Sequence, residues 1–364
     1  MVTPIVCDWV KMAIRPLSSG SGHCCVNGDR MLSSVYNLHV IVPQSIKSSI
    51  RRDYLLLEDL LNRNCLFCGG SRAGSTFLPP DRFAPDGQPV QLVVCVDCGT
   101  FESALDMENV QVEDLDANYL PHQTPGGLRG WLAVRSQLRK VSIIKPWVGG
   151  GKLVDIGCGS GGFMNAWQSA CPGDRVVGIE SSPRAVEAAR ARGLEVIETS
   201  IAVPLPEEVV NGKLYTMWHV LEHLEDPVST LTHIREIMAP EGKIVVVVPN
   251  AAATERSLFG AHTVAWDPPR HRWHFTPEGI TGLMNRTGLR VVERFNIASD
   301  DLYDAVASLQ WVLYPRVWMD PGSLKSHLAT GLAVVGGTPT GLLLAALSPW
   351  RHRASLGMVL ARAI

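Results

Sequence analysis

The chain has 364 residues, of which 46% are hydrophobic and 19% are charged, and its formal net charge is -2. These values are typical of a globular protein with one large or two small domains, and they give no electrostatic reason to expect a nucleic-acid partner. Nine cysteines, four of them in two CxxC pairs, and no recognisable signal peptide favour a reducing compartment and a bound metal, so we expect a cytoplasmic protein.

Residues 1–60 form a poorly patterned N-terminal arm. The stretch SSGSGHCCVNG has the composition of a turn, and helical periodicity is confined to IKSSIRRDYLLLEDLLN. We assign this arm no function.

Two CxxC pairs mark the next segment, residues 61–110. Cys65 and Cys68 form the first pair, Cys95 and Cys98 form the second, and a glycine follows each pair. Glycine lets the chain turn tightly, so that backbone amides can point at thiolate sulfur. Four thiolates predict a closed, structural zinc site in a zinc ribbon, with two redox motifs as the alternative.

An acidic residue and four glycines close an apolar run in LVDIGCGSGGF. The flanking sequences GKLVDIG and DRVVGIE predict buried parallel strands, and FMNAWQSA and SPRAVEAARARG predict the helices between and after them. Glycines in a GxGxxG pattern are usual for dinucleotides, but the carboxylate of Asp155 would repel a pyrophosphate. The sulfonium and ammonium groups of S-adenosylmethionine (SAM) are cationic, so we expect SAM, with Glu180 accepting hydrogen bonds from its ribose.

The sequence WHVLEHLEDP contains His219, Glu222 and His223 in an HxxEH pattern that binds zinc when it lies on a helix. Here it lies between the strand LYTMW and the next helix, and three interpretations stay open. His219 acts as general base or orienting group for a substrate hydroxyl; the three residues hold a second, divalent metal with His271 or His274; or they brace the loop. The predicted catalytic residues are His219, His223 and His274.

The segment VPNAAATERSLFGAHTVAWDPPRHRWHFTPEGI should form a loop on the substrate side of the sheet. Aromatic and basic side chains in it are suited to a planar or anionic acceptor, with ordinary packing as the alternative: Trp266, Arg270, His271, Trp273 and His274.

A hydrophobic insert, residues 302–354, precedes the last strand LGMVLARAI. Residues 328–348 carry no charge and approach transmembrane length. Because Gly336, Gly337 and Pro339 interrupt this stretch, we expect two short helices in a hairpin. The hairpin would cover the pocket, form a dimer contact or make peripheral membrane contact through residues 324–349.

Four motifs in order, VDIGCGSG, VVGIE, YTMWHVLEHLEDP and MAPEGKIVVVVPN, resemble the class I SAM-dependent methyltransferases, and among them the ubiquinone-biosynthesis O-methyltransferases. The resemblance covers about residues 126–298 and the last strand. It implies an α/β, Rossmann-like, seven-stranded sheet whose last strand is antiparallel. The family's adenine-binding Asp is missing after the third strand, so Thr199, Ser200 or a main-chain carbonyl is expected to replace it. The family's metal-binding ExxEH motif has His219 in place of its first Glu, which favours a nitrogen-preferring ion such as zinc.

We therefore expect a methyltransferase domain over residues 126–364 that moves a methyl group from SAM to a small-molecule, sugar or lipid- or carrier-linked acceptor, at oxygen. An RNA-modifying methyltransferase and a non-catalytic SAM-binding or zinc-scaffold protein are the alternatives. The predicted cofactor-binding residues are Asp155, Gly157, Cys158, Gly159, Gly161, Glu180, Ser181, Thr199 and Trp218.

Overall fold

A computed structural model describes residues 59–78, 82, 90–104, 127–148, 150–201, 204–267 and 269–363. The predicted N-terminal arm, apart from its last two residues, lies outside the described residues. The described residues all belong to one compact unit, Arg51–Ile364.

The strands of the described residues belong to two sheets. In chain order they are β1 (Arg72–Leu78), β2 (Val90–Cys95), β3 (Phe101–Ser103), β4 (Lys152–Ile156), β5 (Arg175–Glu180), β6 (Glu195–Glu198), β7 (Leu214–Trp218), β8 (Lys243–Pro249), β9 (Trp273–His274), β10 (Leu289–Phe295) and β11 (Ser355–Arg362). The helices are α1 (Gly127–Ile144), α2 (Gly162–Ala170), α3 (Pro183–Arg190), α4 (Pro227–Ile237), α5 (Thr254–Phe259), α6 (Pro277–Arg286), α7 (Ala298–Leu313) and α8 (Leu324–Leu347).

The large sheet has the strand order β10-β11-β8-β7-β4-β5-β6. Strands β4 to β8 pair in parallel, whereas β11 runs antiparallel to both β8 and β10. Its central strands are continuous apolar runs such as KIVVVVP, because helices cover both faces of a parallel sheet. The predicted seven-stranded sheet with an antiparallel last strand is confirmed.

Three helices, α3, α4 and α6, begin with the same local signal. The side chains of Ser182, Asp226 and Thr276 each accept a hydrogen bond from a backbone amide of the first turn, and a proline occupies the first helical position. Both features satisfy or remove amide groups that a helix start leaves without partners. These helix starts were readable in the sequence.

The small sheet has the order β1-β2-β3-β9 and joins the cysteine-rich segment to the rest of the unit. Strands β1 and β2 form the hairpin that brings the two CxxC pairs together. Strand β9 comes from the segment after β8, and its His274 pairs with Phe101 of β3. Phe67 packs between the rings of Trp273 and Phe275, with centroids 4.8 and 5.1 Å away. The segment predicted as a zinc ribbon therefore shares a sheet with the methyltransferase segment.

The hydrophobic insert folds as α7 and α8, and the prediction of two short helices over residues 328–348 is wrong. One helix, α8, runs through Pro339. Its glycines are contact positions: a Cβ on Gly337 would lie 2.7 Å from the Cα of Val306, and one on Gly341 would lie 2.8 Å from the Cα of Leu302. The packing of α8 on α7 thus explains residues that, in sequence, look like helix breakers. Among the described residues, α8 is long and apolar enough to cross a membrane, by length and composition alone.

Candidate active site

The glycine turn after β4 follows the shape that the sequence predicted. Gly157, Gly159 and Gly161 have φ of 68°, 52° and 76°, in the left-handed region that favours glycine. A Cβ on Gly161 would lie 2.2 Å from Leu194 Cδ1, whereas no described atom lies within 4 Å of a Cβ placed on Gly159. Gly161 thus serves packing, and Gly159 borders open space.

Asp155 lies beside this turn and is 2% exposed. Its Oδ1 accepts a 2.6 Å hydrogen bond from Thr216 Oγ1 of the neighbouring strand β7. Burial raises the pKa of Asp155 to about 7, against the lowering effects of Thr216 and Lys140. A cationic ligand beside the carboxylate would favour its charged form.

Glu180 ends β5 and is held by three backbone amides. Its Oε1 accepts from the amides of Ser181 and Ser182, both at 2.9 Å, and its Oε2 accepts from the amide of Gly159 at 2.8 Å. These bonds fix a carboxylate at the edge of the glycine turn, at the carboxyl end of the parallel strands, where ligands bind in such sheets.

The other predicted cofactor residues surround the turn. The side chain of Cys158 packs in the core under Gly178, so this residue offers its backbone to the turn. The amide of Thr199 donates to the carbonyl of Glu180. The buried indole nitrogen of Trp218 has no hydrogen-bond partner.

Lys140 is a site residue that sequence reasoning missed. Its Nζ lies 4.6 Å from the ring centroid of Trp218. Burial lowers the pKa of Lys140, although the charges of Asp300 and Asp155 act against this shift. It lies on α1, ahead of the first strand of the large sheet, where no motif indicated a functional lysine.

His219 lies at the end of β7 with φ of 57°, which is uncommon outside glycine. Its Nε2 lies 3.2 Å from Asp300 Oδ2, and its Nδ1 lies 3.6 Å from Glu222 Oε1. Burial alone would lower the pKa of His219, but the two carboxylates outweigh it and raise the pKa to about 10. His219 is therefore protonated at neutral pH, and Asp300, 81 residues further on, is a partner that sequence reasoning missed.

The ligand atoms of Glu222, His223 and His271 lie within 4.8 Å of one another. Glu222 is fully buried, and among the described residues neither of its carboxylate oxygens has a partner within hydrogen-bonding distance, although His219 Nδ1 lies 3.6 Å from Oε1. The Nδ1 atoms of His223 and His271 lie 2.9 Å from the carbonyls of Arg270 and Ala265, which leaves each Nε2 with a free lone pair. Of the two further histidines expected as ligands, His271 joins Glu222 and His223 in this cluster, and His219 is not part of it.

Two pKa shifts match this arrangement. Burial alone would raise the pKa of Glu222, but the imidazoles of His219, His223 and His271 outweigh it and lower the pKa. Burial, aided by His223, lowers the pKa of His271 to about 4. The group therefore combines a carboxylate with a neutral imidazole, the forms that bind a metal.

His274 lies on β9, where the small sheet meets the candidate site. Its ring centroid is 6.3 Å from that of His271. Its Nε2 lies 3.0 Å from Ser103 Oγ of β3, and its buried Nδ1 has no hydrogen-bond partner. Burial holds the pKa of His274 well below its ordinary value. The cysteine-rich segment therefore supports one wall of the site.

The four predicted thiolates form a second cluster. The Sγ atoms of Cys65 and Cys98 lie 3.7 Å apart, and those of Cys68 and Cys95 lie 3.5 Å apart. Each pair is followed by a glycine in the left-handed region whose amide donates to the carbonyl of the first cysteine. The cluster is connected to α6, because Thr276 Oγ1 donates to the carbonyl of Cys98.

The remaining predicted loop residues have mostly structural contacts. Arg270 is ion-paired with Asp267 at 2.5 Å. Trp273 is buried, and its indole nitrogen donates to the carbonyl of Leu224. Trp266 lies against the ring of His274, at 4.9 Å between centroids, and borders the site.

The strand order, the antiparallel β11 and the acid–glycine turn together define a class I SAM-dependent methyltransferase domain. Residues 133–294 match the family described as a methyltransferase domain.

The chain is also similar to individual known proteins. A ubiquinone biosynthesis O-methyltransferase of Cereibacter sphaeroides is 30% identical over 154 residues, which cover 39% of this chain and 62% of that enzyme. The enzyme of the same name from Dinoroseobacter shibae is 28% identical over 178 residues, 45% of this chain and 68% of its own. The solved mitomycin 7-O-methyltransferase is 18% identical and covers 65% of this chain and 55% of its own, with a TM-score of 0.42. The chain spans about three fifths of the length of the first curated relatives.

Proposed function

We propose that this protein transfers the methyl group of SAM to an oxygen of a small-molecule, sugar or lipid- or carrier-linked acceptor. The observation that carries the proposal is the buried Asp155 beside a turn whose Gly159 borders open space, with Glu180 fixed by three amides at its edge. The likeness to O-methyltransferases supports oxygen as the accepting atom.

In this proposal each part of SAM has a partner in the site. Asp155 stabilises the cationic end of the methionine moiety, Lys140 binds its carboxylate, and Glu180 accepts hydrogen bonds from the ribose. Thr199 contacts the adenine end of SAM, and Trp218 lies at the edge of the site. Methyl transfer then requires the acceptor to be aligned with the sulfonium and shielded from water, which the side chains at the carboxyl ends of β7 and β8 would provide.

For His219 we propose an orienting role rather than that of a general base. Both ring nitrogens of His219 lie beside carboxylates, those of Asp300 and Glu222, so the imidazole has no free lone pair to act as a base and would orient the acceptor through its fixed positive charge. Its position at the end of β7 puts it beside the cofactor turn.

Two metals belong to the proposal. The four cysteines fit a structural zinc ion, because they are paired thiols with amide-rich knuckles. Glu222, His223 and His271 fit a divalent cation, because their ligand atoms lie within 4.8 Å of one another around a fully buried carboxylate. A cation bound there would polarise an acceptor hydroxyl.

We further propose that α8 lies on a membrane surface, as a peripheral contact of a cytoplasmic protein. Its small residues face α7, and its outer face exposes large apolar side chains: Leu324, Leu328, Leu332, Val334, Val335, Leu342, Leu343 and Leu347. No Asp or Glu occurs from residue 321 to 353, and Lys325 and Arg351 flank the helix, so its charge complements anionic lipid. The second end of α8 is tied to the unit, because Arg353 donates to the carbonyl of Ala345 and is ion-paired with the buried Asp301 of α7, so the helix would lie flat.

Flotation with phosphatidylglycerol vesicles tests the membrane proposal. The wild type should float, and Leu332→Ser with Leu343→Ser should not. As a matched control, Leu132→Ser with Leu138→Ser removes two exposed leucines from α1 and should leave flotation unchanged. If the wild type does not bind the vesicles, and if it forms a dimer that the α8 variant does not form, the outer face of α8 contacts a second copy of the chain.

Calorimetry with SAM tests the main proposal. Asp155→Ala and Glu180→Ala should each weaken binding at least several-fold, and Glu187→Ala, an exposed acid on α3, should not. Wild-type affinity in both site variants would remove the cofactor assignment. Incubation of cell extract with labelled SAM, followed by mass spectrometry of the labelled product, then identifies the acceptor.

A further inference from the structure

A buried arginine without an anionic partner lies beside the acceptor side of the site. Arg256 belongs to α5, which directly follows the carboxyl end of β8, and it is 9% exposed. Its Nε donates to the carbonyl of Asn250 at 2.7 Å. Both Nη atoms are buried, and the described residues provide no hydrogen-bond partner for either.

The guanidinium group is held in place by packing. Its carbon lies 3.6 Å from the ring centroid of Trp266, which in turn contacts the rings of His274 and Phe101. Asn250 is itself fixed, because its Nδ2 donates to two carbonyls near the start of β11 and its Oδ1 accepts from a backbone amide. A side chain that is stacked and hydrogen-bonded in this way holds its two Nη donors in one direction. It therefore loses little conformational entropy when a ligand binds.

Neighbouring carboxyl groups neutralise the positive charge of the Arg256 guanidinium poorly. Both oxygens of Glu255 are buried without hydrogen-bond partners. Burial raises the pKa of Glu255 to about 7 and that of Asp304 to about 8, so that at neutral pH neither carries a full negative charge. Burial also lowers the pKa of Arg256, but only to about 9, and the guanidinium stays charged. A buried charge that is not neutralised costs several kcal/mol, so a ligand that pairs with it gains correspondingly.

The position of Arg256 relates it to the reaction. Asp304 lies one turn after Asp300 on α7, and Asp300 is the partner of His219. Trp266 and His274 form a continuous line of rings from Arg256 to His271 of the Glu222 cluster. Arg256 is thus connected to His219 through neighbouring acids of α7, and to the Glu222 cluster through the row of rings.

We propose that Arg256 binds an anionic group of the methyl acceptor, a carboxylate or a phosphate, through its two Nη atoms. Paired N–H donors match the paired oxygens of both groups. This inference rests on the proposed function, because it assigns Arg256 to the acceptor of that reaction.

In the test, benzoate and inorganic phosphate are titrated separately into the protein loaded with S-adenosylhomocysteine. Tryptophan fluorescence and calorimetry measure the binding of each anion. At least one anion should bind the wild type saturably, and the anion that binds tells a carboxylate from a phosphate. R256Q should weaken that binding at least tenfold, with S-adenosylhomocysteine affinity unchanged within twofold. R294Q removes an arginine that stacks on Trp350 far along the chain, and it should bind like the wild type.

R256K keeps the charge but loses the paired donors, so it should bind the anion several-fold more weakly and decides the question if R256Q does not fold. Two results would overturn the inference: no anion binding by the wild type, or wild-type affinity in R256K and R256Q. Failure of the cofactor assignment gives a different result, because the wild type would then not bind S-adenosylhomocysteine. The anion titration can be repeated without S-adenosylhomocysteine, and it still reports on Arg256.

Discussion

Two glycines in one turn allow packing and cofactor binding to be separated. Gly159 and Gly161 both have positive φ, so an alanine at either position costs about 1–2 kcal/mol of backbone strain. At Gly161 the new methyl group would also meet Leu194 at 2.2 Å, and overpacking of this kind adds about 1–3 kcal/mol. At Gly159 no described atom lies within 4 Å of the new methyl group.

The two variants should therefore show opposite patterns. Gly161→Ala should lower the free energy of unfolding by about 2–5 kcal/mol, and Gly159→Ala by about 1–2 kcal/mol. Gly159→Ala should weaken SAM binding more, by tenfold or about 1.4 kcal/mol, because its methyl group enters the space proposed for the cofactor. Urea unfolding followed by circular dichroism gives the stabilities, and calorimetry gives the affinities.

Either half of this pattern can fail by itself. Wild-type SAM affinity in Gly159→Ala would mean that the open side of the turn is not the cofactor side. Equal stability losses in the two variants would mean that Leu194 moves aside at little cost, and the packing argument for Gly161 would be wrong.

The metal clusters and Asp155 give three further expectations. Cys65→Ser combined with Cys68→Ser should remove one zinc per chain in elemental analysis and lower the melting temperature. Glu222→Gln should abolish binding of a second divalent ion in calorimetry with zinc, because it removes the carboxylate of the cluster. Because burial raises the pKa of Asp155 to about 7, SAM affinity should rise between about pH 6 and about pH 8, and Asp155→Asn should flatten this profile. In the ligand-free protein the stability contributed by Asp155 has the opposite trend and is lost as the pH rises through its folded pKa.

Controls exist for each of these measurements. Cys171→Ser removes a cysteine outside the cluster and should leave the zinc content unchanged. Glu225→Gln removes an exposed carboxylate close to Glu222 in sequence and should leave the second metal bound. A full zinc complement in the double cysteine variant, or a pH profile of Asp155→Asn that matches the wild type, would contradict the corresponding assignment.

Much of the candidate site was readable because its signals are local. Asp155, the glycines and Glu180 lie at strand ends within 26 residues, and the strand period and turn chemistry of that stretch place them together. The four cysteines were readable for a similar reason, since their spacing and the following glycines require a hairpin. The His219–Glu222–His223 pattern was found, but its true geometry was not, because the left-handed backbone at His219 turns that ring towards Asp300.

The sequence by itself determined the parallel strands, the helix starts and the acid–glycine turn, because each depends on periodicity or on the chemistry of a few adjacent residues. The antiparallel last strand was implied by the resemblance to the methyltransferase family. Only the tertiary structure decided which distant side chains share a buried space. It brought His271 to Glu222, Asp300 to His219, and Lys140 to Trp218. It also joined β9 to the cysteine-rich sheet and let α8 continue through Pro339. The reason is that contacts of this kind depend on packing between segments far apart in the chain, and the same glycine that looks like a helix breaker in sequence can be the point where two helices meet.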